Sequence, residues 1–210
     1  MMDLKTGLEM LALESSGERI LKLEKFIGEI NLWNPRYGLI ADGEDIVGRH
    51  VIDSLSGLEL IRGLRPGRLA DVGSGAGFPG IPLAIWMEDV EITLIERSGR
   101  RSGFLRNAVL TLGLDNVRVL EKPVEDADGG EGGFDVITFR AWSAVDDNLL
   151  DSLGAILAPG GTIAAYKGRR DIIESELKSV SRRLSSKEIR PLKTPGTGDE
   201  RHMVMLRISD

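Results

Sequence analysis

The stretch LADVGSGAGFPGIPLAI, Leu69 to Ile85, constrains this chain more than any other. An apolar, strand-like run enters a glycine-dense turn and leaves as an apolar run of helical character. Glycines carry no Cβ, so the backbone of such a turn can lie directly against a ligand. The pattern predicts a buried strand, a binding turn and a helix, the opening unit of a sheet flanked by helices.

The rest of the chain repeats that alternation. RLADVG, VEITLIE, NVRVLE, FDVITF and TIAAYK read as strands. Pro79 to Met87, SGRRSGFLRNAVLTLG, DDNLLDSLGAIL and residues 170–183 read as helices, the third stopped by APGG. The predicted fold class is α/β, a Rossmann-like and mainly parallel sheet with helices on both faces. KEIRPL and RHMVMLRI are strand-like with only a loop between them, which predicts a terminal antiparallel pair. DADGGEGG reads as a flexible loop.

Ahead of the sheet, residues 1–64 read as a helical region packed on a core domain of residues 65–210. Ile20, Leu23, Ile27 and Ile30 make a stripe at helical spacing, and one further helix is expected across EDIVGRHVIDSLSGLELI. RPG at 65–67 ends it.

Composition narrows the setting. No apolar run reaches the roughly 18 residues that span a bilayer, and MMDLKTGLEM is too polar for a signal peptide. The chain has no cysteine, which rules out disulfides and fits a reducing compartment; the expectation is a cytoplasmic monomer without a membrane partner. With only His50 and His202, no metal site is expected. The net charge of −6 is unevenly placed: residues 1–96 hold 9 Lys and Arg against 16 Asp and Glu, residues 97–210 hold 18 against 17. Arg97, Arg100, Arg101 and Arg106 lie in a segment without acids, KGRR follows at 167–170, and Lys178 to Lys193 is a third basic stretch. Phosphate affinity depends on local charge, so RNA remains open as a partner, although each cluster alone also fits a solvated helix face.

The glycines fit two cofactors. Gly75, Gly77 and Gly80 have dinucleotide spacing, with Glu96 at the end of the second strand to accept from ribose hydroxyls. Asp71, Gly73, Gly75 and Gly77 equally supply the acid and G-x-G-x-G of enzymes using S-adenosyl-L-methionine. Three features favour the methyl donor: the antiparallel end of the sheet, the early Asp71 and Gly73, and KPVED after the third strand, where an acid near the adenine is expected. A helix start beyond the turn would offer N–H donors to the cofactor carboxylate, and Phe78 either covers the cofactor edge or fills core. A NAD-dependent oxidoreductase and a non-catalytic RNA-binding fold are the alternatives.

Chemistry that is absent limits the methyl acceptor. Methylation at pyrimidine carbon-5 needs a cysteine nucleophile, and there is none. Exocyclic amines are typically methylated beside an Asp/Asn-Pro-Pro-aromatic turn, where this chain has FRAW. A ring nitrogen with a free lone pair, such as guanine N7, needs only alignment and electrostatic support, with no general base.

At this point the order of motifs resembles a known family. RHVIDSL, DVGSGAGFPGIPLAI, RSGRRSGFLRNA, PVED, RAWSAVDDNLL, AAYKG and DERHMVMLRI are similar to those of the ribosomal RNA small-subunit methyltransferase G family, once called glucose-inhibited division protein B. The resemblance covers the chain from about Leu32 to its end. It implies a seven-stranded class I S-adenosylmethionine-dependent methyltransferase that modifies guanosine N7 in 16S ribosomal RNA, in the RNA or in the small ribosomal subunit. Another RNA or a small-molecule nucleophile is the alternative acceptor. Cofactor contacts would fall on Gly73, Phe78, Val124, Glu125 and Arg140; the glycine pattern adds Gly75, and the general fold argument puts Glu96 at the ribose. Lys167, Arg201 and His202 would lie toward RNA, and Arg97, Arg100 and Arg101 would hold phosphates as a group. The family usually has Asn-Leu-Thr after its early tyrosine, whereas Tyr37 here precedes Gly38-Leu39-Ile40.

Single residues carry competing readings. Arg140 and Lys167 are the candidate positioning residues. Arg140 could instead bridge Asp135 or Asp146 at the surface. Asp53 could simply hold Arg49 one turn away, and His50 could be a packing residue. Trp33, Trp86 and Trp142 read as core, with Trp142 the best placed to stack on a base.

Overall fold

The computed structural model describes residues 1–140, 144–181, 184–196 and 198–209. Strands β1 (Arg68–Val72), β2 (Glu91–Ile95), β3 (Val117–Leu120), β4 (Phe134–Arg140), β5 (Leu157–Lys167), β6 (Leu184–Pro191) and β7 (His202–Ile208) form one sheet. Their order is β3-β2-β1-β4-β5-β7-β6. The first five are parallel, and β7 inserts antiparallel between β5 and β6. From β1 the chain winds outward to β3, then returns to lay β4 on β1's other side. The crevice at the C-terminal ends of β1 and β4 is therefore where a ligand can enter between diverging loops.

The helices are α1 (Leu4–Met10), α2 (Glu18–Tyr37), α3 (Asp53–Leu55), α4 (Leu58–Gly63), α5 (Gly80–Trp86), α6 (Gly99–Leu112), α7 (Asp147–Ile156) and α8 (Arg170–Ser179). Alternation along the strands separates two apolar layers. Leu69 of β1 faces the layer built with α1, α2, α5 and α6, whereas Ala70 and Val72 face the layer built with α7 and α8. Residues of the N-terminal helices thus share one apolar layer with the sheet. No helix among the described residues is long and apolar enough to cross a membrane.

Several expectations shift in detail. In α2 the buried stripe is Ile20, Leu23, Phe26 and Ile30, with Ile27 only half-buried. The single helix expected over 44–61 is broken. A widened i→i+5 segment, Val47–Ile52, passes into α3, and the chain bends at Ser56–Gly57 before α4. Close packing on the sheet explains the bend. Tyr166 Oη donates to Ser54 O at 2.6 Å, and a Cβ on Gly57 would collide with Tyr166 Oη and Met203 Cε. The fifth predicted strand also begins early: β5 takes in APGG, pairing Leu157 with Phe134 and absorbing the extra residues in an irregular register. Helix α8 is shorter than predicted and ends at Ser179.

DADGGEGG is held rather than loose. The Arg68 guanidinium donates to the carbonyls of Gly129, Glu131 and Gly133 at 2.6–2.8 Å and lies over the Phe134 ring. The edge strand β6 carries Lys187, Glu188, Arg190 and a terminal proline, a composition that discourages pairing with a second chain.

Candidate cofactor and substrate site

The glycine turn leaves β1 with Gly73, Gly75 and Gly77 at φ of 69°, 56° and 93°. That left-handed backbone is what the glycines permit, and a Cβ on Gly77 would also stand 2.6 Å from Ile81 Cδ1. The turn is fixed from both sides. Gly73 N–H donates to Ile95 O at 2.8 Å, and Gly75 N–H donates to Glu96 Oε2 at 2.9 Å. Glu96, only 4% exposed, accepts from Ser98 N–H on its other oxygen at 2.8 Å. One carboxylate thus sets the turn after β1 against the turn after β2. Each of its oxygens still has a lone pair for a ribose hydroxyl.

Helix α5 does not supply the donors expected for a cofactor carboxylate. Gly80 N–H is donated to Asp71 Oδ2 at 2.9 Å and Ile81 N–H to Gly77 O at 2.8 Å. Asp71 is fully buried, and its Oδ1 has no hydrogen-bond partner among the described residues. Burial pushes its pKa up to about 7, against the Gly80 hydrogen bond that favours the carboxylate.

Gly73, Glu96, Val124 and Glu125 line one cleft. Val124 is buried and Glu125 exposed, so one apolar and one acidic side chain flank its far wall. Arg97, Arg101 and Lys122 stand at the same cleft. Arg97, Arg100 and Arg101 make no ion pair among the described residues, whereas Arg106 is paired with Glu121 at 2.8 Å. A Cβ-free turn, a buried acceptor and an acid beyond an apolar wall fit a nucleoside carrying positive charge.

The crevice's other side is a polar cluster. Arg140, at the end of β4, does not bridge Asp135 or Asp146. Asp135 accepts from Gly67 N–H and Arg68 N–H, and Asp146 caps α7. The guanidinium instead crosses to Asp53 Oδ2 at 3.0 Å, Arg49 O at 2.8 Å and His50 Nδ1 at 2.6 Å. Asp53 is 2% exposed and holds Arg201 Nε on its other oxygen at 3.1 Å, while Arg49 pairs with Asp199. Phe78 is buried; its ring stacks on His50 at 5.0 Å and lies under the Arg140 guanidinium at 5.3 Å. It bridges both readings, being core on the Phe26 side and wall on the Arg140 side.

Lys167 and His202 face each other in register where β5 ends and β7 begins. Lys167 Nζ lies 2.9 Å from Glu176 Oε2. His202 is 5% exposed with Nδ1 2.8 Å from Gly168 O, so any effect on RNA would pass through the Gly168–Arg170 turn. Arg169 and Arg170 are exposed and paired with Asp171 and Glu174, bonds weak enough for a phosphate to displace. Trp142 lies outside the described residues. Sequence reasoning missed Asp53 as the shared partner of two arginines and Lys122 as a cleft residue; the RHVIDSL motif was the available signal for the first.

Glu96→Gln tests this geometry. Both carboxylate oxygens accept from backbone N–H groups, so the amide must turn an N–H against one of those donors. Calorimetry is expected to show S-adenosylhomocysteine binding weakened by about ten-fold or more. An unchanged affinity would remove Glu96 from the site.

Sheet order, glycine turn and cleft together define a class I S-adenosylmethionine-dependent methyltransferase. A 1,6-didemethyltoxoflavin-N1-methyltransferase from Burkholderia thailandensis, solved with S-adenosylhomocysteine, shares this fold at a TM-score of 0.56 and 14% identity, covering 89% of this chain and 90% of that one. Residues 19–204 match the family described as rRNA small subunit methyltransferase G. Proteins of that name from Borrelia turicatae and Laribacter hongkongensis are 36% and 38% identical to this chain, covering 98% and 97% of it and 99% and 96% of themselves. The chain belongs to the rRNA small subunit methyltransferase G family.

Proposed function

We propose that this chain, working as a cytoplasmic monomer, methylates N7 of a guanosine in 16S ribosomal RNA. The observation that carries the acceptor assignment is the state of the polar groups on the two sides of the crevice. Asp53 is shared by two arginines, His50 Nδ1 accepts from Arg140, and Glu96 is bonded to two backbone amides. None of these three offers an idle base, and Asp71, whose Oδ1 is unpartnered, is fully buried, which suits an acceptor that loses no proton before attack.

S-adenosylmethionine, when bound, supplies a methyl group on a cationic sulfur. Gly73, Gly75, Phe78, Glu96, Val124 and Glu125 would hold it, and Arg140 would orient the acceptor edge. Arg97, Arg100 and Arg101 would hold phosphates beside the cleft, with Lys167, Arg201 and the His202 turn on the β5–β7 side. In this reading residues 65–210 carry the chemistry and residues 1–64 brace the Arg140 cluster through Arg49, His50 and Asp53.

The test is methyl transfer from labelled donor to 16S RNA and to small subunits, with the nucleoside product identified. Label in 7-methylguanosine is expected. Label in any other nucleoside, or none in either substrate, overturns the acceptor assignment.

A further inference from the structure

We propose that His50 is a positioning residue, whose Nδ1 lone pair and stack on Phe78 hold the Arg140 guanidinium at the acceptor side of the crevice. The proposal rests on the methyltransferase reading above. A guanidinium only donates, so at 2.6 Å from Arg140 Nη2 the His50 Nδ1 must be the unprotonated nitrogen. The ring proton then sits on Nε2, 3.2 Å from Glu44 Oε2 and off the angle of a full hydrogen bond. The other Arg140 contacts, Arg49 O and Asp53 Oδ2, both engage Nη1. His50 is therefore the acceptor that fixes Nη2, and so the rotation of the guanidinium plane.

This arrangement depends on protonation. The charged groups facing His50 are Glu44 from the preceding turn, Arg140 from β4 and Asp53 from its own segment; Phe78 covers the ring. Burial, and then the positive charge of Arg140, push His50 below its ordinary value, with Glu44 opposing. A second proton would put N–H against N–H and cation against cation, and Arg140 would be released. Methyl transfer should then fall on the acid side, at a pH below about 6.5. A guanosine N7 acceptor gives no such limb, since it loses no proton. Asp71 titrates higher, near 7, and His50 is not among the groups that shift it directly.

The experiment compares His50→Phe, His50→Asn and the parent chain in single-turnover transfer to 16S RNA from pH 5 to 8.5. His50→Phe keeps a ring on Phe78 and loses the acceptor; a rate lower by about ten- to a hundred-fold is expected at pH 7.5. His50→Asn places an oxygen near the Nδ1 position and does not titrate. It is expected to recover most of that loss and to lack the limb below 6.5. A folded His50→Phe with the parent rate, or a His50→Asn that keeps the limb, overturns the proposal. If His50→Phe does not fold, the limb of His50→Asn decides.

Nitrogen-15 spectra of the imidazoles give an independent readout, because His50 and His202 are the only histidines. His50 is expected to show unprotonated Nδ1 at pH 7.5, and its titration should rise when Arg140 is replaced by Met. The opposite tautomer overturns the contact. Should the parent chain methylate no RNA, the functional reading fails while these spectra still judge the His50–Arg140 contact.

Discussion

Arg140→Met is expected to lower methyl transfer by at least about a hundred-fold and to cost about 3 kcal/mol of stability. The stability loss follows from Asp53, whose side chain is 3% exposed and which would keep one arginine instead of two. Breaking a buried pair by removing one member costs more than the pair contributes, because the remaining charge stays desolvated. Arg49 O and His50 Nδ1 lose their donor as well. Methionine preserves much of the length and volume, so the loss reports charge and hydrogen bonding. Arg201→Met is the graded comparison. Arg201 is 28% exposed, and Asp53 would keep Arg140, so about 1 kcal/mol is expected. Guanidinium unfolding at pH 7.5 separates the two. Equal losses would mean that Asp53 does not distinguish its partners.

Asp71→Asn should change how stability depends on pH. The folded pKa of Asp71 is raised to about 7 from an ordinary 3.8. The unfolded chain releases that proton first, so stability is fully present below about 3.8 and falls as pH rises through about 7. The span corresponds to about 4 kcal/mol as an upper limit. Asparagine keeps an oxygen for Gly80 N–H without the ionisation. Unfolding at pH 5 and pH 8.5 should show the parent chain losing stability relative to the variant by up to about 3 kcal/mol. Parallel profiles would place the Asp71 carboxylate in a better solvated state than its burial implies.

The frame of the molecule was legible because its strands and helices obey their own periods. Five apolar runs, with helical patterns between all but the third and fourth, point to a parallel sheet, and two strands joined by a loop close it antiparallel. The cofactor side was legible for a related reason: a turn that must approach a ligand needs glycine, and that need is local. The acceptor side was not. Asp53 meets Arg140 and Arg201 across 87 and 148 residues, and no spacing rule reports a contact at that range. Local reasoning paired it with Arg49, a plausible helical neighbour that instead points to Asp199. The break at Gly57 was hidden likewise, since it answers to Tyr166 and Met203 on distant strands. DADGGEGG looked loose because its anchor, Arg68, lies some sixty residues earlier.

The carboxylate of Asp53 is a hinge pin common to two levers, one ending β4 and the other preceding β7. Drawing Arg201 outward toward a polyanion would leave the pin to Arg140 alone and tighten that remaining grip. Occupancy at the molecule's rim would thereby be felt at its centre through a single side chain, without any strand having to slide.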